Sequence, residues 1–133
     1  MTPGPADAGR DSRTCASIAQ PGAVIHTGGA CPLDEHGQTV GVGDVALQAR
    51  QAVANLIEAL AQAGATMADV LKTTVYVASS DRSDLVAAWE VTHAAFGEHD
   101  APSTLLGVAV LGWPDQLVEI EAVATVGGSH HSL

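Results

Sequence analysis

The chain has 133 residues, of which 47% are hydrophobic and 3% aromatic, and a formal net charge of −10 from 15 acidic and 5 basic side chains. A chain of this length fits one domain with one core, which Ala, Val and Leu must fill because aromatic residues are so few. The shortage of basic residues argues against binding to nucleic acid or to an anionic membrane surface, and no apolar run approaches the roughly 20 residues of a membrane-spanning helix.

The N-terminal residues 1–12, MTPGPADAGRDS, are rich in Pro, Gly and Asp and contain no apolar stretch of the kind that a secretory signal needs. We expect a disordered leader and a cytoplasmic protein, with a single domain over residues 13–126 and a flexible tail over residues 127–133. The two cysteines, Cys15 and Cys31, are too few for a disulfide framework and lack metal-ligand spacing. Both are expected to be free thiols.

The first elements are predicted to be two strands around a Pro-Gly turn, in TCASIAQPGAVIHTGG at residues 14–29. A loop rich in Gly and Asp follows. Asp44 then stands as a helix N-cap and Gly64 as a stop, so a helix is predicted between them. Its apolar residues recur at helical spacing: Leu47, Val53, Leu56, Ile57 and Leu60.

The β-branched segment DVLKTTVYVAS at residues 69–79 predicts a strand. Its two sides are Leu71, Thr73, Val75, Val77 and Val70, Lys72, Thr74, Tyr76. A second helix is predicted from a cap at Ser83 to a stop at Gly97, with Leu85, Trp89, Thr92 or His93, and Phe96 at helical spacing. Residues 103–126 predict two more strands joined by a Gly-Trp-Pro-Asp turn, giving an α+β fold in the order β-β-α-β-α-β-β.

The faces of this sheet predict self-association. Two helices cover one side of a sheet, and the last strand alternates between two sets of side chains. The helix side receives Val118, Ile120, Ala122 and Ala124, and the other side receives Leu117, Glu119, Glu121 and Val123. The second set contains apolar as well as charged side chains, whereas a solvent-exposed face should be consistently polar. We therefore expect the helix-free face to be buried against other copies of the chain.

Glu119 and Glu121 lie two residues apart on that helix-free face. Solvated strand residues or salt-bridge partners are the ordinary explanation for such a pair. At a subunit interface, however, a carboxylate loses solvation, which disfavours its charged form and makes it a plausible general base. The pattern indicates a candidate catalytic carboxylate without choosing between the two.

Glycine, tryptophan and cysteine residues offer candidate binding groups. Gly28 and Gly29 would let a ligand approach backbone N–H groups closely, although a plain turn explains them as well. Trp89 and Trp113 are core or interface residues, or else pocket walls in a chain with few aromatics. Cys31, beside the glycines, is a minor candidate for a reactive thiol.

Four segments in succession resemble the YjgF/Rid family, the reactive-intermediate deaminases, over roughly residues 14–126. They are IHTGGACPLDEHG, QARQAVANLIEALAQAGATMADVLKTTVYVAS, AAFGEHDAPST and LVEIEAVA. The resemblance implies a chorismate-mutase-like fold, assembled as a homotrimer with clefts between subunits. It also implies hydrolysis of enamines and imines, such as 2-aminoacrylate, without a metal or organic cofactor. Glu119 matches the family's water-activating carboxylate, and the backbone of Thr27 and Gly28 matches its substrate cleft.

Pro102 stands where the family's active deaminases carry an arginine, because the chain reads APST rather than ARST. That arginine binds the substrate carboxylate through a bidentate charged contact, which proline cannot make. Arg50, Lys72 and Arg82 do not fall at a matching position. The resemblance is therefore to an arginine-lacking subgroup.

The leading hypothesis is a homotrimer with a small-molecule ligand in its intersubunit cleft and Glu119 as general base on an imine or enamine other than 2-aminoacrylate. The substrate-binding residues expected there are Thr27, Gly28, Gly29, Trp89, Pro102, Ser103 and Thr104. One alternative is a non-catalytic ligand-binding or interaction trimer, which a cleft plugged by tryptophan would favour. Another is a tailoring enzyme of a biosynthetic pathway. The acidic charge argues against the ribonuclease activity described for some members.

Overall fold

The architecture is a mixed four-stranded sheet with helices on one face, seen in a computed structural model that describes residues 23–126. The elements are β1 (Val24–His26), α1 (Val45–Gln62), a short 3-10 helix (Met67–Asp69), β2 (Val70–Val77), α2 (Arg82–Phe96), β3 (Ser103–Gly107) and β4 (Val118–Thr125). The α+β prediction is confirmed. The first predicted strand, the leader and the tail lie outside the described residues.

Strand order in the sheet is β1-β4-β2-β3, with β4 antiparallel to both of its neighbours and β3 parallel to β2. The two strands of residues 103–126 are therefore not paired with each other, because β2 lies between them. Their connection includes a tight turn in which Asp115 has φ +61°. The strand predicted over residues 103–110 is also shorter, since β3 ends at Gly107.

Helix α1 begins and ends where the sequence predicts. The Asp44 carboxylate accepts the Leu47 N–H at 3.0 Å, and Gly64 follows the helix with φ +90°, a conformation that glycine adopts without steric cost. The buried face, however, runs along small alanines as well as Leu56 and Leu60, so that Leu47 and Ile57 are exposed. Small residues on this face let the helix pack closely on the sheet.

Helix α2 is capped by Asp81 rather than by Ser83, because the Asp81 carboxylate accepts the Ser83 N–H at 2.9 Å. It ends at Gly97 as expected. Thr92, not His93, completes its buried face together with Ala88 and Phe96.

Strand β2 contains an irregularity that the alternating pattern does not predict. The pairing with β4 shifts between Val70 and Lys72. Val70 consequently joins Thr73, Val75 and Val77 on the buried side, whereas Leu71 is exposed. A bulge of this kind adds a residue to one strand and reverses the faces beyond it.

The core lies between the helices and one face of the sheet. On β4, Val118, Ile120, Ala122 and Ala124 are all buried, as predicted, while Glu119 and Glu121 lie on the opposite face and are partly exposed. That opposite face carries no helix of residues 23–126. Neither helix in this range is long and apolar enough to span a membrane.

Candidate functional site

Residues 27–30 lie beside β4 and bring two glycines to Glu119. The Thr27 N–H donates to the Ala122 carbonyl at 3.0 Å, and the Ala30 N–H donates to the Ile120 carbonyl at 2.7 Å. Three residues of the loop thus span only two of β4, so the loop bulges at Gly28 and Gly29. The Thr27 hydroxyl accepts the Ala122 N–H at 2.9 Å and fixes the start of the bulge.

Gly29 is in direct contact with the Glu119 side chain. A methyl group built on Gly29 would overlap the Oε2, Cδ and Cγ atoms of Glu119. The requirement for glycine is therefore one of close approach and not of backbone conformation. The carboxylate of Glu119 lies against the loop backbone.

Two buried donors hold the other carboxylate oxygen. The Gln116 amide donates to Glu119 Oε1 at 3.2 Å, and the Cys31 Sγ lies 3.5 Å from the same atom. Gln116 is 4% exposed and Cys31 is 3% exposed. Oε2 accepts no hydrogen bond from any residue in the range 23–126. Glu119 therefore has one oxygen fixed by the protein and one left for a ligand or water.

Cys31 is a protonated thiol at neutral pH. Burial above all, and then the charge and hydrogen bond of Glu119, raise its pKa to about 12. Because the thiolate is the nucleophilic form, this environment argues against the reactive thiol considered from the sequence. The group acts in the structure as an S–H donor.

Glu121 has a different partner, although it shares a face with Glu119. The Tyr76 hydroxyl donates to Glu121 Oε1, and this bond, followed by burial and the charges of the two glutamates, raises the pKa of Tyr76 to about 12. Glu121 also borders a shallow cavity of about 140 Å³ together with His26, Thr27 and Lys72. The two glutamates are thus chemically distinct.

The residues around Pro102 begin the edge strand β3. The Pro102 carbonyl accepts the Thr73 N–H at 3.0 Å, the Ser103 hydroxyl bonds the hydroxyl of Thr73, and the Thr104 hydroxyl accepts a bond from Lys72 Nζ at 2.9 Å. No pattern in the sequence predicts this placement of Lys72. The Lys72 ammonium group consequently lies near the start of β3, the strand that Pro102 precedes.

Within one chain this second group does not reach Glu119. Ser103 is level with Thr73 and Ala122 in the sheet, whereas Glu119 is level with Tyr76 and Leu106. Standard strand geometry separates the two positions by about 10 Å along the strands and about 10 Å across them. Seen from a single chain, the predicted binding residues form two separate groups.

Trp89 lies away from Glu119, whereas the Trp113 side chain is within hydrogen-bond reach of the Cys31 thiol beside Glu119. Trp89 lies on α2, on the other side of the sheet, where its ring stacks on His93 with centroids 5.4 Å apart. Trp113 lies in the turn before β4, and its backbone N–H donates to Gln116 Oε1 at 3.0 Å. Gln116 belongs to no motif, so sequence reasoning had no signal with which to select it.

The two-helix layer on a mixed four-stranded sheet matches the fold of solved members of the YjgF/Rid class of proteins. The family model described as Endoribonuclease L-PSP matches residues 14–126. The chain belongs to this family. Among residues 23–126 no cluster of three or more His, Cys, Asp or Glu side chains suits a metal ion.

Three similar proteins illustrate the relationship. The chain is 35% identical over 105 residues to the 2-iminobutanoate/2-iminopropanoate deaminase of Salmonella typhimurium, covering 77% of this chain and 80% of that protein. It is 31% identical over 103 residues to the 3-aminoacrylate deaminase RutC of Acinetobacter baylyi, covering 77% and 79%. A crystal structure of a YjgF/YER057c/UK114 family member from Mycobacterium tuberculosis superposes with a TM-score of 0.69, at 35% identity and over 91% and 90% of the two chains.

Proposed function

We propose that this protein is a cofactor-independent imine or enamine deaminase in which Glu119 activates water. The observation that carries the proposal is the state of the Glu119 carboxylate, with Oε1 held by Gln116 and Cys31 and Oε2 without a donor in residues 23–126. A carboxylate with one fixed and one available oxygen is suited to general base catalysis. The names of the Salmonella and Acinetobacter relatives, both deaminases of imino or amino-acrylate compounds, support the same reaction class.

The proposed reaction needs only water and one proton acceptor. Glu119 Oε2 takes a proton from water as the water oxygen bonds to the carbon of the C=N group, and the nitrogen gains a proton. Collapse of the carbinolamine breaks the C–N bond, forms C=O and releases ammonia. An enamine enters the same sequence when the proton that Glu119 Oε2 took from water in the previous turnover passes to its β-carbon, and the resulting iminium ion is the species that water attacks.

Pro102 restricts the substrate that we propose. Its side chain has no hydrogen-bond donor, so this position cannot grip a substrate carboxylate as an arginine would. Lys72 is the nearby cation, but its ammonium group already donates to Thr104. We therefore assign the site to imines or enamines without an α-carboxylate, rather than to 2-aminoacrylate.

A homotrimer completes the site in this proposal. Glu119 and the Pro102–Thr104 segment lie far apart in one chain, and a cleft between subunits would bring the two groups together. The helix-free face also carries partly exposed apolar side chains, among them Val24 at 49% and Leu106 at 44% exposure. Burial of such a face between copies is favourable.

A panel of cyclic and acyclic imines, with and without carboxylates, tests the assignment through ammonia release. We expect turnover of the uncharged compounds, and a loss of at least about 100-fold in Glu119→Gln, in line with the contribution of a general base. Pro102→Arg should add activity on the carboxylated compounds. Strong wild-type activity on 2-aminoacrylate that depends on Glu119 would overturn the substrate assignment.

A non-catalytic ligand-binding trimer is the second candidate, and the replacement at Pro102 favours it, since loss of the carboxylate anchor is one way for the family's chemistry to be lost. A tailoring enzyme of a biosynthetic pathway would share the same cleft. Calorimetric titration with the carbonyl products of the panel separates the candidates. Binding by both the wild type and Glu119→Gln, with no turnover by either, would select the binding protein.

A further inference from the structure

We propose that Gln116 and Cys31 are positioning residues that together fix the direction in which Glu119 presents its reactive oxygen. The proposal rests on the deaminase function proposed above and adds two residues to it. Neither residue contacts the proposed substrate position in one chain. Both act through Oε1 of Glu119, and we call the pair the Oε1 clamp.

The Gln116 amide has only one orientation that satisfies its surroundings. Its Nε2 donates to the Val118 carbonyl at 3.0 Å and to Glu119 Oε1 at 3.2 Å, while its Oε1 accepts the Trp113 N–H. Rotating the amide by half a turn would set an oxygen against two acceptors and an NH₂ group against a donor. The backbone at both ends of the turn therefore aims the amide N–H at Glu119.

Cys31 supplies the second donor from the opposite element, the loop after β1. Its Sγ lies 3.5 Å from Glu119 Oε1 and 3.5 Å from the Gly29 carbonyl, and both are acceptors. The thiol must be protonated to satisfy either of them. Its burial and its neighbouring carboxylate keep it so, and a thiolate here would instead repel Glu119.

The clamp and Gly29 act on opposite ends of the carboxylate. The two donors fix Oε1, and the Gly29 backbone borders Oε2 closely enough to exclude a side chain. A half-turn of the carboxylate about its last bond only exchanges two equivalent oxygens, whereas any smaller rotation breaks the hydrogen bonds to the oxygen that the clamp holds. Oε2 is consequently held in one direction, and such preorganisation lowers the cost of reaching the transition state.

The separate effects on kcat and KM, together with rescue by a conservative variant, distinguish positioning from mere stability. A variant that lacks one donor leaves the Glu119 carboxylate free to rotate, so kcat falls while substrate binding is unchanged. Within residues 23–126, Tyr76 on β2 and Glu121 on β4 share the sheet face with Glu119. Tyr76 remains protonated because its pKa is about 12.

The experiment measures kcat and KM, on the best imine of the panel, for Gln116→Met and Cys31→Ala in the full chain. We expect kcat to fall about tenfold in Gln116→Met and about threefold in Cys31→Ala, with KM nearly unchanged in both. Cys31→Ser, which keeps a donor, should restore most of the wild-type kcat. Thr92→Val removes a buried hydroxyl that donates to the Ala88 carbonyl on α2 and serves as the control, with unchanged kcat and KM.

Glu119→Gln in the same series distinguishes the two proposals. If Glu119→Gln is inactive while both clamp variants keep the wild-type kcat, the clamp is wrong and the deaminase function stands. If Glu119→Gln is as active as the wild type, the proposed function itself fails. If the clamp variants lose kcat and raise KM together and Cys31→Ser recovers neither, the two residues are structural and the positioning role is refuted.

Discussion

At the scale of single residues, Glu119 and Glu121 differ because of what surrounds each one. They occupy equivalent positions on one strand face, yet Glu121 accepts the hydroxyl of Tyr76 while Glu119 is bound by Gln116 and Cys31. The sequence could predict that both lie on the helix-free face, since strand periodicity fixes that. It could not predict their partners, because these come from β2, from a turn and from a loop that are distant in sequence.

Gly29→Ala tests the contact between the loop and the catalytic candidate. The added methyl group overlaps the carboxylate end of Glu119, which must rotate away from Gln116 and Cys31, so we expect a stability cost of about 1–2 kcal/mol. The displaced carboxylate should nevertheless lose most of its imine-hydrolysing activity. Urea denaturation and the ammonia-release assay measure the two effects.

Gly43→Ala is the matched control for that substitution. Gly43 has φ +79° and nothing within 4 Å of a built methyl group, so alanine there is strained but distant from Glu119. We expect a loss of about 1–2 kcal/mol in stability with activity retained. Retained activity in Gly29→Ala would contradict the close contact that the structure describes.

At the scale of elements, capping and stop residues predict where the helices begin and end. Strand pairing was harder to predict, because it depends on contacts between residues that are distant in sequence. The cap at Asp44 and the stops at Gly64 and Gly97 are confirmed because capping depends on neighbouring residues only. The parallel pairing of β2 and β3 follows a general rule, since a strand, a helix and a strand in succession form a parallel crossover unit. The bulge in β2 has no such sequence signal.

Asp81 provides a pH-dependent prediction for α2. Its bonds from the Ser83 hydroxyl and N–H lower its pKa below the usual 3.8 in the folded chain. A lowered pKa in the fold means that the cap stabilises the protein above pH 3.8, and that this stabilisation is lost as pH falls through the folded value. Asp81→Ala should therefore be less stable than the wild type at neutral pH and approach it in acid.

Urea unfolding at neutral pH and near pH 3 measures this difference. Asp44→Ala provides a comparison on the other helix, where the cap is also a carboxylate that accepts one backbone N–H. An Asp81→Ala deficit that is equally large in acid would show that the ionised cap is not its source.

At the scale of the whole molecule, one chain holds the predicted site residues in two separate groups. Glu119 and its glycine loop lie together within one chain. Pro102, Ser103 and Thr104 lie at the start of the edge strand β3, and Trp89 lies on α2, on the other side of the sheet. Sequence resemblance predicts which residues form the site, and this stays a prediction because a single chain does not show how copies combine. Whether these two groups form one substrate cleft, as proposed, therefore depends on how copies of the chain assemble.

Leu106→Glu tests assembly through the helix-free face. Leu106 is 44% exposed in one chain, and a carboxylate there would be buried without a partner in the proposed trimer, at a cost that favours dissociation. Light scattering should report about 40 kDa for the wild type, from three chains of 13.4 kDa, and a smaller species for the variant.

Val86→Glu on α2 is the control, because Val86 has the same 44% exposure on the helical side of the protein. It should keep the assembly of the wild type. A monomeric wild type, or equal dissociation of both variants, would reject the helix-free face as the interface.

The Oε1 clamp also has a stereochemical consequence. Because Gln116 and Cys31 hold one carboxylate oxygen and Gly29 borders the other, a proton can return from Oε2 to a bound enamine from one side only. Turnover in deuterium oxide would then label one of the two faces of the β-carbon, and the product of a suitably substituted enamine would be optically active. The absolute configuration at the deuterated carbon would then show from which side of Glu119 the proton is delivered.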